Sequence, residues 1–132
     1  VEDGKNIKHD ISLPISKVPE FLSLIEMQLK AYLPGARMIV FGHLGDGNLH
    51  FNVAAPPGIS PEDFMNQKSS VNLRIHDLVH TLEGSVSAEH GIGSMKVDEL
   101  QRYKSAVELG LFRSIKSALD PQGILNPGKI LQ

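Results

Sequence analysis

Cysteine is absent from this chain of 132 residues. Its absence excludes disulfides, thiolate catalysis and cysteine-ligated zinc. It is also compatible with a reducing compartment, so the cytoplasm is the expected location. No apolar run approaches the roughly 20 residues that a membrane helix needs. Charge of neither sign dominates: 13 Lys and Arg face 15 Asp and Glu, leaving a net charge of −2 with His neutral. The basic residues are scattered, so no general attraction to nucleic acid is expected. No signal peptide is visible, because the first residues are polar and charged. The chain opens on Val1, not Met, and a strand pattern follows within a few residues. It therefore reads as a fragment or processed piece of a longer protein, and the missing signal carries no weight.

What is present is one domain, residues 1–132, with enough chain to bury roughly two-thirds of its unfolded surface. Ile7, His9, Ile11, Leu13 and Ile15 alternate with polar residues and Pro14, which predicts a strand. Phe21, Leu22, Ile25, Leu29 and Leu33 fall at helical spacing within Ser16 to Leu33, and Pro34-Gly35 stops that helix. Arg37 to His43 is a second strand. Gly45-Asp46-Gly47-Asn48 is a turn, and Leu49, Phe51 and Val53 mark a third strand. Ser60 caps and Pro61 opens a helix that runs to Leu82, with Val71, Ile75, Leu78 and Leu82 as its apolar face and Gly84 as its C-terminal cap. Ser85 to Glu89 is a short fourth strand, and a third helix covers about Met95 to Leu119. The order βαββαβ plus a C-terminal helix is the ferredoxin-like arrangement: an α+β fold with one antiparallel sheet and helices on one face.

Successive strand side chains point to opposite faces. If Ile7, Ile11, Met38, Val40, Leu49, Phe51 and Val53 face the helices, the open face shows Lys8, Asp10, Ser12, Ile39, Phe41, His43, His50, Asn52, Ser85, Ser87 and Glu89. A partly greasy face of this kind wants a cover, which would also allow self-association through it. A four-residue loop of Gly45 to Asn48 would pair Leu44 with Leu49 and His43 with His50. Directly opposed residues share a face about 5 Å apart, so two imidazoles could converge on a cation. Glu89 would add a carboxylate, although it must reach across the first strand or bend in from a strand end. Two His and one carboxylate with an open position is a zinc ligand set that other divalent metals also accept. His43, His50 and Glu89 are thus candidate metal ligands; the plain alternative is a pair of solvated or hydrogen-bonded histidines.

Other motifs carry less. His76 and His80 are spaced i, i+4 but lack a carboxylate motif, so they read as a solvated helix face. The GDGN loop lacks the Lys-Ser/Thr of a phosphate loop and precedes no helix, so it reads as a turn. The Glu and Lys residues of the third helix read as a solvated face, and Asp120-Pro121-Gln122-Gly123 reads as a turn.

Phe41 to Val53 (FGHLGDGNLHFNV) and Ser87 to Gly93 (SAEHGIG) resemble the paired signatures of the FAD-linked oxidase C-terminal domain. That family includes D-lactate dehydrogenases, the glycolate oxidase flavin subunit and D-2-hydroxyglutarate dehydrogenase. Lys8 to Pro14 (KHDISLP) and Asp120 to Lys129 (DPQGILNPGK) are similar to its first-strand and tail motifs, so the likeness spans nearly the whole chain in order. The resemblance implies that this is the substrate and metal domain of an enzyme oxidising a small D-2-hydroxy acid, with FAD bound mainly by an N-terminal domain missing here. It implies that His43, His50 and Glu89 hold a divalent metal, foremost zinc. It makes His90 the general base, gives Lys8 and Asn52 substrate contacts, and places Asn126 and Lys129 near the flavin. In isolation the chain is then expected to be inactive. Competing readings are a free-standing metal- or ligand-binding ferredoxin-like module without redox activity, a metal-dependent hydrolase, and a relative with a vestigial metal or another flavin reaction.

Overall fold

The computed structural model describes residues 5–131. Its elements are β1 (Asn6–Ser12), α1 (Val18–Tyr32), β2 (Arg37–His43), β3 (Asn48–Ala54), α2 (Pro61–Asn66), α3 (Lys68–Thr81), α4 (Val97–Tyr103) and α5 (Ala106–Leu119). One-turn 3-10 segments, Ile15–Lys17 and Leu44–Asp46, lead into α1 and join β2 to β3. The chain forms two compact units that meet in sequence at His90 and Gly91. Among the described residues no helix is long and apolar enough to cross a membrane.

The first unit is α+β. Its antiparallel sheet has the order β1-β3-β2. The face of Ile7, His9, Ile11, Leu49, Phe51 and Val53 is buried. Val18, Phe21, Ile25 and Leu29 of α1 lie at spacings of three and four and are buried with it. Phe21 meets Phe51 edge-on at 5.5 Å between ring centroids. From α3, Val71, Ile75, Leu78 and Val79 join the same core. His9 ties α3 to the sheet: its Nδ1 lies 3.0 Å from the Phe51 carbonyl and its Nε2 2.9 Å from Asn72 Oδ1. Both helices thus cover one face, as alternation predicts.

Several expected boundaries move, each for a local reason. Ser60 does cap α2, accepting the Asp63 N–H at 3.0 Å, but the helix tightens at Gln67, whose N–H turns back to Phe64, and α3 starts anew. Glu83, not Gly84, takes the left-handed conformation after α3, at φ 62°. Gly84 closes the cap through its N–H to the Val79 carbonyl, and a Cβ there would lie 2.3 Å from Ser12 O. Close approach to β1 is what demands glycine at 84. His76 is buried against His9 while His80 is exposed, so they do not form one solvated face.

The expected fourth strand, Ser85 to Glu89, is reduced to one antiparallel bridge between Ser12 and Ser85. The Ser85 hydroxyl accepts the Ser87 N–H at 3.3 Å and donates to the Ser87 carbonyl at 2.8 Å. A side chain that bonds its neighbours' backbone competes with the strand ladder, and here it wins.

The second unit carries α4, α5 and the tail. The single helix expected from Met95 to Leu119 is broken at Ser105, which caps α5 by accepting the Glu108 N–H while Glu108 accepts the Ser105 N–H.

Candidate functional site

The open face of the sheet is laid out in three cross-strand rows. Ser12, Asn48 and His43 form the first; Asp10, His50 and Phe41 the second; Lys8, Asn52 and Ile39 the third. Expected parity therefore holds for all three strands. The expected pairing of His43 with His50 does not: His43 faces Asn48, and His50 faces Phe41. The four-residue loop is 44–47, one residue earlier than expected, which moves the partner of His43 by two: Leu44–Asp46 winds a 3-10 turn and Asp46 Oδ1 accepts the Asn48 N–H at 3.1 Å. A slip of two keeps parity, so both imidazoles stay on this face as diagonal neighbours. Gly47 is required in the loop: φ is +73°, and a Cβ would fall 1.9 Å from the Leu13 carbonyl oxygen.

Segment 86–90 bends over this face from beside β1. Glu89 reaches across β1, where its Oε1 accepts a hydrogen bond from Asn48 Nδ2 and lies 3.6 Å from His43 Nδ1. His90 arrives above the second row. Its ring centroid is 6.0 Å from that of His50, and its Nδ1 is 3.7 Å from Asp10 Oδ2. His50 in turn lies against Phe41 at 5.1 Å between ring centroids. His43, Glu89, His90 and Lys8 are exposed, His50 is half-buried and Asn52 is buried. The structure thus brings His43, His50, Glu89 and His90 together over one sheet face, with Lys8 and Asn52 opposite each other one row away. Rows are about 7 Å apart along the strands.

Asn126 and Lys129 belong to the second unit. They are exposed and joined by a turn in which the Lys129 N–H reaches the Asn126 carbonyl at 3.3 Å.

Two residues without an expected role complete the cluster. Asn48, buried, pairs with His43 and holds Glu89. Asp10, also buried, accepts the N–H groups of Glu89 and His90 at 2.9 and 2.8 Å. Strand parity already put Asp10 on this face, two residues after Lys8; Asn48 was expected in the turn, and the structure makes it the first residue of β3 instead.

The expected metal site is a different matter. Among the described residues, no group of three His, Asp or Glu side chains is placed to hold a metal ion. His43 and Glu89 have a separation, 3.6 Å, near the roughly 3.3 Å between two ligands of one tetrahedral zinc. But Glu89 is engaged by Asn48, and His50 lies between Phe41 and His90. The donor chemistry suits a divalent metal while the three donors do not converge, so no step below runs through one.

Comparison with known proteins agrees with the motifs. Residues 2–130 match the family model described as FAD linked oxidases, C-terminal domain. The chain is 40% identical over 123 residues to a D-2-hydroxyglutarate dehydrogenase of Stutzerimonas stutzeri, covering 93% of this chain and 26% of that protein. It is 42% identical over 125 residues to a D-2-hydroxyglutarate dehydrogenase of Xanthomonas citri, covering 95% and 26%. Against the mitochondrial D-2-hydroxyglutarate dehydrogenase of Danio rerio it is 37% identical over 131 residues, covering 98% and 23%. The chain spans about a quarter of the length of these relatives. A family match over nearly every residue means that this chain belongs to the FAD-linked oxidases as their C-terminal domain.

Proposed function

We propose that this chain is the substrate domain of an FAD-dependent dehydrogenase that oxidises a small D-2-hydroxy acid to the 2-oxo acid, with D-2-hydroxyglutarate as the first candidate. The observation that carries the reading is that His90, His50, His43 and Glu89 lie on one sheet face whose next row holds Lys8 and Asn52. The names of the relatives support the substrate class.

Each residue has a task that its chemistry fits. The Lys8 ammonium is a point charge for a carboxylate, and the Asn52 amide offers a donor beside it. One row away, His90 takes the proton of the 2-hydroxyl. The row spacing of about 7 Å is of the order of a five-carbon diacid's length, so Lys8 holds the distal carboxylate while C2 lies under His90. A flavin bound by the rest of the protein would supply the acceptor for the C2 hydride. Phe41 and Ile39 give the same face an exposed apolar side.

The test is anaerobic bleaching of flavin absorbance in the full-length protein by D-2-hydroxyglutarate, D-lactate and glycolate. Bleaching fastest with the diacid supports the reading. A yellow protein that none of them bleaches rejects the substrate class, and a colourless protein rejects the dehydrogenase.

A second reading, metal binding by His43, His50 and Glu89, is favoured by the 3.6 Å between His43 and Glu89. It predicts about one equivalent of zinc or another divalent ion in the full-length protein, lost in His43→Ala and kept in His90→Ala. Metal-free protein with full turnover rejects it.

A further inference from the structure

The segment that carries Glu89 and His90 is not held as a strand. Ser12 and Ser85 exchange two backbone hydrogen bonds, at 3.0 and 2.8 Å. The next ladder bond would come from Ser87, but its N–H is taken by the Ser85 hydroxyl. The ladder slips by one residue, and Ala88 N–H reaches the Asp10 carbonyl at 3.3 Å. From there the Asp10 side chain takes the place of the missing backbone. Its Oδ2 accepts the N–H of Glu89 at 2.9 Å and of His90 at 2.8 Å, and the same oxygen lies 3.7 Å from His90 Nδ1. Asp10 is only 4% exposed, whereas the His90 side chain is 69% exposed. A buried carboxylate is costly to keep unless it is hydrogen-bonded.

We propose that Asp10 is the positioning residue of this site: its carboxylate clamps the backbone of Glu89 and His90 and so places both side chains over the open face of the sheet. It acts through them. Glu89 is delivered to Asn48 and His43 on β3 and β2, and His90 is delivered above His50 with its Nδ1 edge toward the clamp. The inference rests on the dehydrogenase reading for what the two residues do, but not for how they are held. Because the clamp needs an acceptor and not the carboxylate's charge, asparagine serves in place of aspartate and alanine does not.

Amide hydrogen exchange in the full-length protein, read at these residues, tests the holding. In the unsubstituted chain the amides of Glu89 and His90 exchange at least about tenfold slower than an unstructured segment. Asp10→Asn keeps that protection. Asp10→Ala loses it while Phe51 and Val53 stay protected in β3. Unprotected Glu89 and His90 in the unsubstituted chain overturn the proposal without recourse to any variant, which matters if Asp10→Ala does not fold. Protection that survives Asp10→Ala, or is lost in Asp10→Asn with the sheet intact, also overturns it. In the full-length flavoprotein, Asp10→Ala lowers kcat about 10- to 100-fold with KM changing much less, and Asp10→Asn recovers most of the loss. Equal losses in Asn and Ala, or a loss in KM alone, overturn the positioning role. Should no 2-hydroxy acid reduce the flavin, the dehydrogenase reading falls, while the exchange data still decide the clamp.

Discussion

Replacing Lys8 by Met in the full-length protein separates substrate recognition from chemistry. Lys8 is exposed on the open face, opposite Asn52 and one row from His50. Methionine keeps most of its aliphatic length, and the buried residues of β1, Ile7, His9 and Ile11, point the other way. The fold should therefore tolerate the change within about 0.5 kcal/mol. What is lost is one charged contact to the distal carboxylate of a diacid. Hydrogen bonds to charged groups contribute about 1.5–3 kcal/mol, which corresponds to roughly 10- to 150-fold in kcat/KM. D-Lactate has no distal carboxylate, so its kcat/KM should change by less than about threefold, within the range of an ordinary surface substitution. The assay is steady-state oxidation of both acids by both proteins with an artificial electron acceptor. Equal losses on the two substrates would refute the placement of the diacid along the rows, and no loss on either would remove Lys8 from the site.

Four further outcomes follow from the geometry described above. His90→Ala should lower kcat about 10²–10⁴-fold, the usual worth of a general base, in the same steady-state assay; an unchanged kcat would move the base elsewhere. Gly84→Ala places a methyl 2.3 Å from Ser12 O and 2.9 Å from Val79 Cγ1, so β1 or α3 must shift. The expected cost is about 1–3 kcal/mol in denaturant unfolding, and an unchanged midpoint would show that the approach of chain 84 to β1 is looser than described. Ser105→Ala removes the cap of α5 at about 1 kcal/mol, read by thermal unfolding. Glu108, its partner, has a carboxyl lowered from 4.5 to about 2, chiefly by the hydrogen bond from Lys104 and then by those from Ser105. A depressed carboxyl contributes stability that is complete above its unfolded value and is lost on acidification toward its folded one. Loss of α5 between pH 4.5 and about 2, followed by circular dichroism, should therefore be shallower in Glu108→Gln; identical acid limbs would refute the link.

Period-two alternation was enough to sort the three strands onto two faces, because one face is buried and a slip of one residue would expose Phe51 and bury His50. A slip of two exposes nothing, so alternation could not tell His43 opposite His50 from His43 opposite Asn48; that choice lay in the 3-10 turn of Leu44–Asp46. The helix breaks had local signs. Ser105 with Glu108 three residues on is a capping box, legible in the sequence as Ser-Ala-Val-Glu but outweighed by the apolar periodicity that runs through it. Ser85-Val86-Ser87 alternates like a strand, and nothing in a period-two pattern says that one hydroxyl will take the next serine's N–H. The burial of His76 was equally hidden, since it depends on a T-shaped contact with His9 from a strand 67 positions earlier, their ring centroids 5.5 Å apart.

The irregular segments that carry the candidate residues have a common mode of support. Asp10 gathers the backbone of 89–90 in the first unit. In the second, Asp120, buried at the end of α5, accepts the N–H of Ile124 at 3.0 Å and of Leu125 at 2.9 Å. Lys116 lies 2.5 Å from the same carboxylate, holds it below the usual carboxylate range, and also donates to the Leu125 carbonyl. In each case a segment without regular structure loses the intramolecular partners that a ladder or helix supplies to buried N–H groups. One carboxylate replaces two of them at once, at a fixed point of a rigid element. The aspartates in KHDISLP and DPQGILNPGK thus each hold an irregular segment without having to touch a substrate, Asp10 the one that presents Glu89 and His90 in the first unit, Asp120 the one that leads to Asn126 and Lys129 in the second.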